Sequence, residues 1–241
     1  MSIAVIQDAV VLAGGFGTRL ASVVSDVPKP MAPVAGRPFL ELLLDRLIEQ
    51  GITRVVLAVG HKREVIQNHF REHYRSLAVR YSIESEPLGT GGALRQAFEE
   101  NQLQRALALN GDTYCTADLG ELGRAHVAAG RLATLTLVPM EDAGRYGAVE
   151  LDGSGRVATF CEKNPLPKPG LINAGVYALE RGVFELASGE RKFSFEQSIL
   201  QAHAASAGFA GHIATDALFI DIGIPDDYRR AQTLLTLDPK A

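Results

Sequence analysis

The first half of the chain alternates short apolar runs with amphipathic stretches, and this order restricts the fold more than any other feature of the sequence. The apolar runs are rich in β-branched residues, as buried strands are, and lie at residues 8–13, 53–59, 79–84 and 106–109. Helix patterns separate them at residues 38–50, 64–74 and 92–100. In the first of these helices, Asp45 and Arg46 fall on the face that is predicted to point outward. Strands that alternate with helices predict an α/β fold around a largely parallel sheet.

The second half of the chain is less regular. Two strand patterns, at residues 146–151 and 156–162, flank the turn sequence Asp152-Gly-Ser-Gly155 and predict a hairpin. Further strand patterns lie at residues 132–138 and 218–220, and helix patterns at residues 193–207 and 225–235. The sequence contains no hexapeptide repeat, so we expect no C-terminal β-helix.

Composition is that of an ordinary globular protein. Of the 241 residues, 46% are hydrophobic and 22% are charged, a balance that can bury a full core and excludes disorder as the main state. We predict one domain over residues 1–241, with a regular half at about 1–130 and a more elaborated half at about 131–241.

Simple counts exclude several classes of protein. The longest run of apolar residues plus glycine, Ala9–Gly17, is far shorter than the roughly 20 residues that a membrane span needs. No basic segment precedes Arg19, so no secretory signal is expected. Two cysteines, Cys115 and Cys161, are too few for a disulfide scaffold or a four-ligand zinc site, which favours a reducing cytoplasm. The net charge of −4 argues against general binding to nucleic acids or anionic membranes.

A glycine-rich segment, Gly14-Gly-Phe-Gly-Thr-Arg-Leu20, directly follows the first predicted strand. Glycines at this position let backbone N–H groups approach a phosphate, and the Arg19 guanidinium adds charge suited to a phosphate chain. A dinucleotide-binding fingerprint would have glycine in place of Leu20, and a P-loop would have lysine after its last glycine. A plain strand-to-helix turn is the alternative interpretation.

Three further side chains point to phosphate chemistry. Lys29 stands between two prolines in Pro28-Lys-Pro-Met31, which keeps it out of a helix and on a rigid loop. Asp112 and Asp221 each follow an apolar strand pattern, and ligand sites of α/β sheets lie beyond the carboxyl ends of strands. Two aspartates there could hold Mg²⁺, although either one alone is more simply a turn or helix-capping residue.

These segments together resemble the sugar-1-phosphate nucleotidyltransferases (nucleotide-sugar pyrophosphorylases). The resemblance runs in order from residue 8 to about residue 230. Its other motifs are Glu86-Pro-Leu-Gly-Thr-Gly-Gly92, Asn110-Gly-Asp112, Phe160-Cys-Glu-Lys163, Asn173-Ala-Gly175 and Asp221-Ile-Gly223. The resemblance implies a Rossmann-like three-layer α/β fold with a mostly parallel mixed central sheet. It also implies that the first half binds the nucleotide and the second half the sugar phosphate.

The resemblance further implies a role for each matching residue. The catalytic residues are Arg19, Lys29, Asp112 and Lys163, and the Mg²⁺ ligands are Asp112 and Asp221. The nucleotide-binding residues are Leu12, Ala13, Gly14, Gly15, Gly17, Thr18, Arg19, Lys29, Glu86, Gly89, Thr90, Gly91, Gly111 and Asp112. The sugar-phosphate-binding residues are Gly147, Glu162, Lys163, Asn173 and Gly175.

The base and the sugar are specified less directly. Guanine presents two adjacent donors, N1–H and the N2 amino group, which one carboxylate can accept, so Glu86 favours GTP over UTP or dTTP. Glu86 could instead order its own loop or face solvent. The sequences of residues 22–31 and 219–228 are similar to those of family members that act on D-glycero-α-D-manno-heptose 1-phosphate, and this resemblance implies GDP-heptose as the product.

Other functions stay open at this level. A mannose or glucose 1-phosphate enzyme that uses GTP, UTP or dTTP is one alternative, and a regulatory subunit that binds a nucleotide-sugar without catalysis is another. Since the family commonly forms dimers or tetramers, a homodimer is compatible with the resemblance, whereas neither nucleic acid nor membrane is expected as a partner. The H-x-x-E-H pattern of His69–His73 matches some zinc peptidases, but the surrounding arginines and the lack of a third ligand favour a chance occurrence.

Overall fold

The computed structural model describes residues 6–15, 20, 23–24, 26–162 and 168–237. The helices are α1 (Phe39–Glu49), α2 (Arg63–Phe70), α3 (Gly89–Glu100), α4 (Leu119–Ala129), α5 (Ala202–Ala207) and α6 (Pro225–Leu237). The strands are β1 (Asp8–Leu12), β2 (Pro33–Val34), β3 (Arg37–Pro38), β4 (Arg54–Val59), β5 (His73–Tyr74), β6 (Leu77–Ile83), β7 (Arg105–Asn110), β8 (Thr113–Cys115), β9 (Ala133–Met140), β10 (Gly147–Leu151), β11 (Val157–Glu162), β12 (Gly170–Glu180), β13 (Ala210–Ile213) and β14 (Phe219–Asp221). Short 3₁₀ turns lie at Lys29–Met31 and Arg181–Ala187, and a π-helix lies at Phe195–Gln201.

A mixed sheet forms the centre of the fold, as predicted. Its order is β11-β10-β12-β7-β1-β4-β6-β5, with β9 beside β12 and β13 beside β9. The neighbours β7, β1, β4 and β6 are parallel, because a helical crossover separates them along the chain. The strands of the second half are mostly antiparallel. The described residues that follow contain no β-helix.

Helices cover both faces of this sheet, which gives three layers. Along β1, Ala9 and Val11 pack into one hydrophobic cluster while Val10 packs into the other, because successive strand residues point to opposite faces. The apolar side of α1 joins the first cluster, and Leu94, Ala97 and Phe98 of α3 join the second. Burial on both faces explains why the strand sequences are apolar runs and do not alternate.

Strand β12 connects the two halves of the sheet. On one side it pairs with β9 along most of its length. On its other side it pairs first with β10, through Leu171 and Ile172, and then with β7, through residues 176–180. The register with β9 shifts between Asn173 and Tyr177, so the strand carries a bulge at the point where its partner changes.

Three local predictions needed correction. The helix pattern at residues 64–74 ends at Phe70, where Arg71 takes a positive φ of 51° and the chain enters β5. The pattern at residues 193–207 forms a π-helix that continues into α5. Asp45 and Arg46 do not face solvent: both are buried, because other segments cover this side of α1. No described helix is long and apolar enough to cross a membrane.

Candidate active site

A cavity of about 660 Å³ lies beyond the carboxyl ends of the parallel strands, the usual ligand position in an open α/β sheet. It is lined by nine of the residues predicted to bind nucleotide: Leu12, Gly14, Gly15, Lys29, Glu86, Gly89, Thr90, Gly111 and Asp112. Ala13 is buried behind the cavity, and Gly91 is not part of its wall. The predicted residues Gly17, Thr18 and Arg19 lie outside the described part of the chain.

Lys29 lies between the two predicted metal ligands. Its ammonium Nζ is 2.5 Å from Asp112 Oδ2 and 3.7 Å from Asp221 Oδ1. Asp112 and Asp221 meet because β8 and β14 pair antiparallel, with Asp221 opposite Thr113, and because the Ile222 N–H donates to the Asp112 carbonyl at 2.9 Å. Two carboxylates beside this cavity form a donor set suited to Mg²⁺, which takes few protein oxygens together with phosphate oxygens. These residues therefore fit the predicted metal.

The end of β1 is packed too tightly for a side chain. A Cβ at Gly14 would overlap Glu84 Oε1, and a Cβ at Gly111 would overlap the Leu12 carbonyl oxygen. Gly60, which follows β4, is also close to Gly14, with 3.2 Å between a built Cβ and the Gly14 oxygen. Gly15 differs from these glycines, because a Cβ built on it meets no atom within 4 Å. The backbone after β1 is thus fixed at Gly14 and open toward the cavity at Gly15.

Glu84 is a cavity residue that sequence analysis missed. It is the first residue after β6, whereas Asp112 is the second residue after β7. Its Oε2 accepts the Leu88 backbone N–H at 3.0 Å, and burial raises the pKa of its carboxyl. The predicted Glu86 also lines the cavity but lies at its rim, where 58% of its side chain is exposed and Oε1 is 3.1 Å from Arg191 Nη1.

The glycines at the start of α3 serve mainly to pack that helix. A Cβ on Gly91 would collide with the Phe193 ring, and a Cβ on Gly89 would be 2.5 Å from the Phe193 carbonyl oxygen. Thr90 donates its hydroxyl to Glu196 Oε2 at 2.6 Å. Gly89 and Thr90 reach the cavity, whereas Gly91 allows α3 to dock against residues 193–196.

The described residues predicted to bind the sugar phosphate lie together around β12. Gly147 and Glu162 face each other across the predicted hairpin of β10 and β11. Asn173 Cβ is 3.6 Å from a Cβ built on Gly147, and its side chain donates to Tyr177 Oη at 2.6 Å. Gly175 has a positive φ of 65°, as the bulge in β12 requires. Lys163 lies outside the described residues.

Asn110 joins the two groups of predicted residues. It lines the cavity of about 660 Å³, and its side chain packs on Gly175, where a Cβ would be 2.5 Å from Asn110 Nδ2. Asn110 Oδ1 is buried and accepts no hydrogen bond from any described group. A buried acceptor of this kind at the junction is available to a ligand donor.

Two other groups of residues give no site. His69 Nε2 contacts Glu41 Oε1 at 2.7 Å while His73 belongs to β5, and the described residues contain no cluster of three metal-binding side chains. Cys115 is buried, and burial raises the pKa of its thiol, so it is not an activated nucleophile.

Comparison with known proteins identifies the family of this chain. Residues 8–237 match the nucleotidyl transferase family. The chain is 45% identical to a D-glycero-α-D-manno-heptose 1-phosphate guanylyltransferase of Aneurinibacillus thermoaerophilus, over 94% of this chain and 97% of the relative. It is 42% identical to the enzyme of that name from Campylobacter jejuni, over 92% and 97%.

A solved structure agrees as well. HddC from Yersinia pseudotuberculosis, crystallised in complex with GMP-PN, superposes with a TM-score of 0.82 at 37% identity, over 94% of this chain and 98% of that one. The family predicted from the sequence motifs is confirmed. With its mixed central sheet between two layers of helices, the chain belongs to the nucleotidyl transferase family.

Proposed function

We propose that this protein transfers GMP from GTP to D-glycero-α-D-manno-heptose 1-phosphate, giving GDP-heptose and pyrophosphate. The observation that carries the proposal is the meeting of Lys29, Asp112 and Asp221 at one end of a nucleotide-sized cavity. The heptose and guanine assignments are supported by the two relatives of that name and by the GMP-PN complex of HddC.

The reaction needs positioning and charge neutralisation and no protein nucleophile. A phosphate oxygen of the sugar phosphate attacks the α-phosphorus of GTP while the bond from that phosphorus to the pyrophosphate oxygen breaks. Asp112 and Asp221 would hold Mg²⁺, which supplies positive charge at the phosphates when bound. Lys29, with only 9% of its side chain exposed, neutralises charge beside the α-phosphate.

Other residues would bind the two substrates. The backbone of Gly14 and Gly15, together with Arg19, would hold the triphosphate and stabilise the departing pyrophosphate. Lys163 would bind the phosphate of the sugar and Glu162 a sugar hydroxyl. Gly147 and Asn173 would line the sugar pocket, next to Asn110 at the junction.

Guanine recognition has two candidate carboxylates. Glu86 is the residue predicted from the motif, and its place on the cavity wall keeps it a candidate. Glu84 is the stronger of the two, because its carboxylate is less hydrated and is fixed by the Leu88 N–H. A carboxylate held in this way can accept guanine N1–H and the N2 amino group.

The product would serve cell-surface glycan synthesis in the cytoplasm, where the free Cys115 and Cys161 stay reduced. A homodimer is part of the proposal, since the family commonly assembles in this way. We also propose that residues 1–130 bind the nucleotide and residues 131–241 the sugar phosphate, and the cavity on the first half supports this proposal.

Pyrophosphate release tests this function directly. Four nucleoside triphosphates are each combined with heptose, mannose, glucose and N-acetylglucosamine 1-phosphates. We expect the highest kcat/KM for GTP with the heptose phosphate. A higher value for mannose or glucose 1-phosphate would replace the sugar assignment. No pyrophosphate with any pair, from folded protein that still binds GDP-heptose, would favour the non-catalytic regulatory subunit.

Two lysine variants separate the proposed substrate halves. Lys29→Ala should impair use of GTP, and Lys163→Ala should mainly raise the KM for the sugar phosphate. If both variants raise only the KM for GTP, these roles are wrong.

A further inference from the structure

A salt bridge outside the predicted site joins the sugar side to the metal side. Arg145 Nη2 lies 2.6 Å from Asp227 Oδ2. Arg145 stands two residues before Gly147, where β10 begins, and Asp227 lies on the first turn of α6. Asp227 is buried, with 9% of its side chain exposed, while Arg145 is half exposed. A buried carboxylate needs a charged partner, so Arg145 is held in place by Asp227.

An aromatic contact joins the segment before β10 to β14, the strand that ends at Asp221. The Arg145 guanidinium lies over the Tyr146 ring, 5.6 Å from its centre. Tyr146 meets Phe219 of β14 edge-on, with 5.2 Å between ring centres. Residues 145 and 146 therefore contact the chain both before and after Asp221.

Helix α6 extends the connection to Lys29. Tyr228 Oη and Gln232 Nε2 donate to the Pro33 carbonyl at 2.6 and 2.8 Å, and Gln232 Oε1 accepts the Ala35 N–H at 3.1 Å. This backbone segment directly follows the 3₁₀ turn of Lys29. One helix thus holds the segments that carry Lys29, Asp221 and the start of β10.

We propose that Arg145 is a positioning residue for the sugar phosphate, whose ion pair with Asp227 sets β10 in its place relative to Asp221 and Lys29. The inference rests on the proposed function, because it assigns the acceptor substrate to the β10 side of the site. Arg145 acts through Gly147 and its neighbours, so losing the pair should misplace the acceptor more than the nucleotide. Displacements of about 1 Å at a reacting centre can cost up to roughly 100-fold in rate.

Steady-state kinetics of matched variants test this assignment. We expect Arg145→Ala to raise the KM for the sugar 1-phosphate about tenfold or more and to lower kcat, with the KM for GTP within about twofold. Arg145→Lys should restore part of the loss. Asp226→Ala is the control, because it removes the exposed Arg229–Asp226 pair one residue away on α6, whose atoms are also 2.6 Å apart.

A double variant covers the case in which Arg145→Ala does not fold. Arg145→Ala with Asp227→Asn removes the buried charge together with its partner, and its acceptor KM should match that of Arg145→Ala. Unchanged acceptor constants, or equal losses for both substrates with a lower Tm, would overturn the positioning role.

Hydrogen exchange separates this inference from the proposed function. The amides of β10 should exchange faster in the Arg145→Ala and Arg145→Ala/Asp227→Asn proteins than in wild type and Asp226→Ala, without any substrate. If wild type turns over no sugar phosphate, the proposed function fails, and the exchange result alone decides whether the Arg145–Asp227 ion pair holds β10 in place. Equal exchange in all four proteins would refute it.

Discussion

Gly14 and Glu84 are in such close contact that a methyl group on Gly14 would overlap Glu84 Oε1. One residue follows β1 and the other follows β6, with Gly60 at the end of β4 between them. The first glycine of the glycine-rich motif therefore also makes room for a half-buried carboxylate. Under the proposed function, the backbone donors for the triphosphate and the acceptor for the base would lie next to each other.

Replacement of the two cavity carboxylates should have unequal effects. Glu84→Gln keeps an acceptor for the Leu88 N–H but removes the charge, so we expect the KM for GTP to rise about tenfold or more. Glu86→Gln, at the exposed rim, should change it by about twofold or less. Steady-state kinetics of both variants with GTP, UTP and dTTP measure the change in KM for each nucleotide. A larger rise in the KM for GTP in Glu86→Gln than in Glu84→Gln would assign base recognition to Glu86.

The raised pKa of Glu84 gives this prediction a pH signature. Its carboxylate is protonated at a higher pH than an ordinary glutamate, so GTP affinity should weaken as the pH falls toward that raised pKa. For stability the sign is opposite, because a charge at this site is disfavoured in the folded state at neutral pH. Glu84→Gln should accordingly raise the Tm at pH 7 and weaken the pH dependence of GTP binding. A Tm that falls at pH 7 would contradict the desolvation argument.

The two aspartates should be essential for turnover and dispensable for folding. We expect Asp112→Asn and Asp221→Asn each to lower kcat by about 100-fold or more, since charge stabilisation at the phosphates is lost. Lys29 retains one carboxylate partner in either variant, so the Tm should stay close to that of wild type. Near-normal turnover by a folded variant would exclude the metal assignment.

Two glycine variants separate packing from phosphate contact. Gly91→Ala should destabilise the fold by about 1–3 kcal/mol, because its methyl group meets the Phe193 ring. Gly15→Ala has open space for its methyl group and should keep its Tm while weakening GTP binding at the backbone donors. Urea denaturation measures the stability of both variants, and GTP titration measures their nucleotide binding. If Gly91→Ala is as stable as wild type, the docking of α3 is looser than its contacts indicate.

His126, which does not line the cavity, should make the free energy of unfolding depend on pH. It is buried, with Nδ1 2.9 Å from Thr134 Oγ1 and Nε2 3.2 Å from Glu180 Oε1, and burial lowers the pKa of its imidazole. The unfolded chain takes up this proton near pH 6.5, so the free energy of unfolding should fall as the pH drops below about 6.5. His126→Gln should reduce that loss in urea titrations. The exposed His73→Gln is the control and should leave it unchanged.

Much of the site could be predicted because polar residues that end apolar strands meet at one edge of an α/β sheet. Asp112 and Asp221 were predicted in this way, whereas Lys29 was predicted from the two prolines that flank it. Glu84 was not predicted, although it directly follows a strand, because it lies two residues before the motif Glu86-Pro-Leu-Gly-Thr-Gly-Gly92 and is not part of it.

Other features depend on contacts that no local pattern contains. The packing role of Gly91 requires Phe193, which lies far along the chain. Helical periodicity places Asp45 and Arg46 on the outer side of α1 but does not reveal what covers it. Arg46 in fact donates to the carbonyls of Cys115 and Ala117, at 2.8 and 2.6 Å, and so supports the segment after β8.

Strand β12 has a consequence for how this protein can be divided. Because it fills the edge of β7 and also pairs with β10, the boundary near residue 130 separates predicted roles but not independent bodies. A fragment ending there would leave the β7 edge unpaired and open to aggregation. Exchange of sugar preference between relatives is therefore better attempted by grafting the β10–β11 hairpin than by joining halves of two chains.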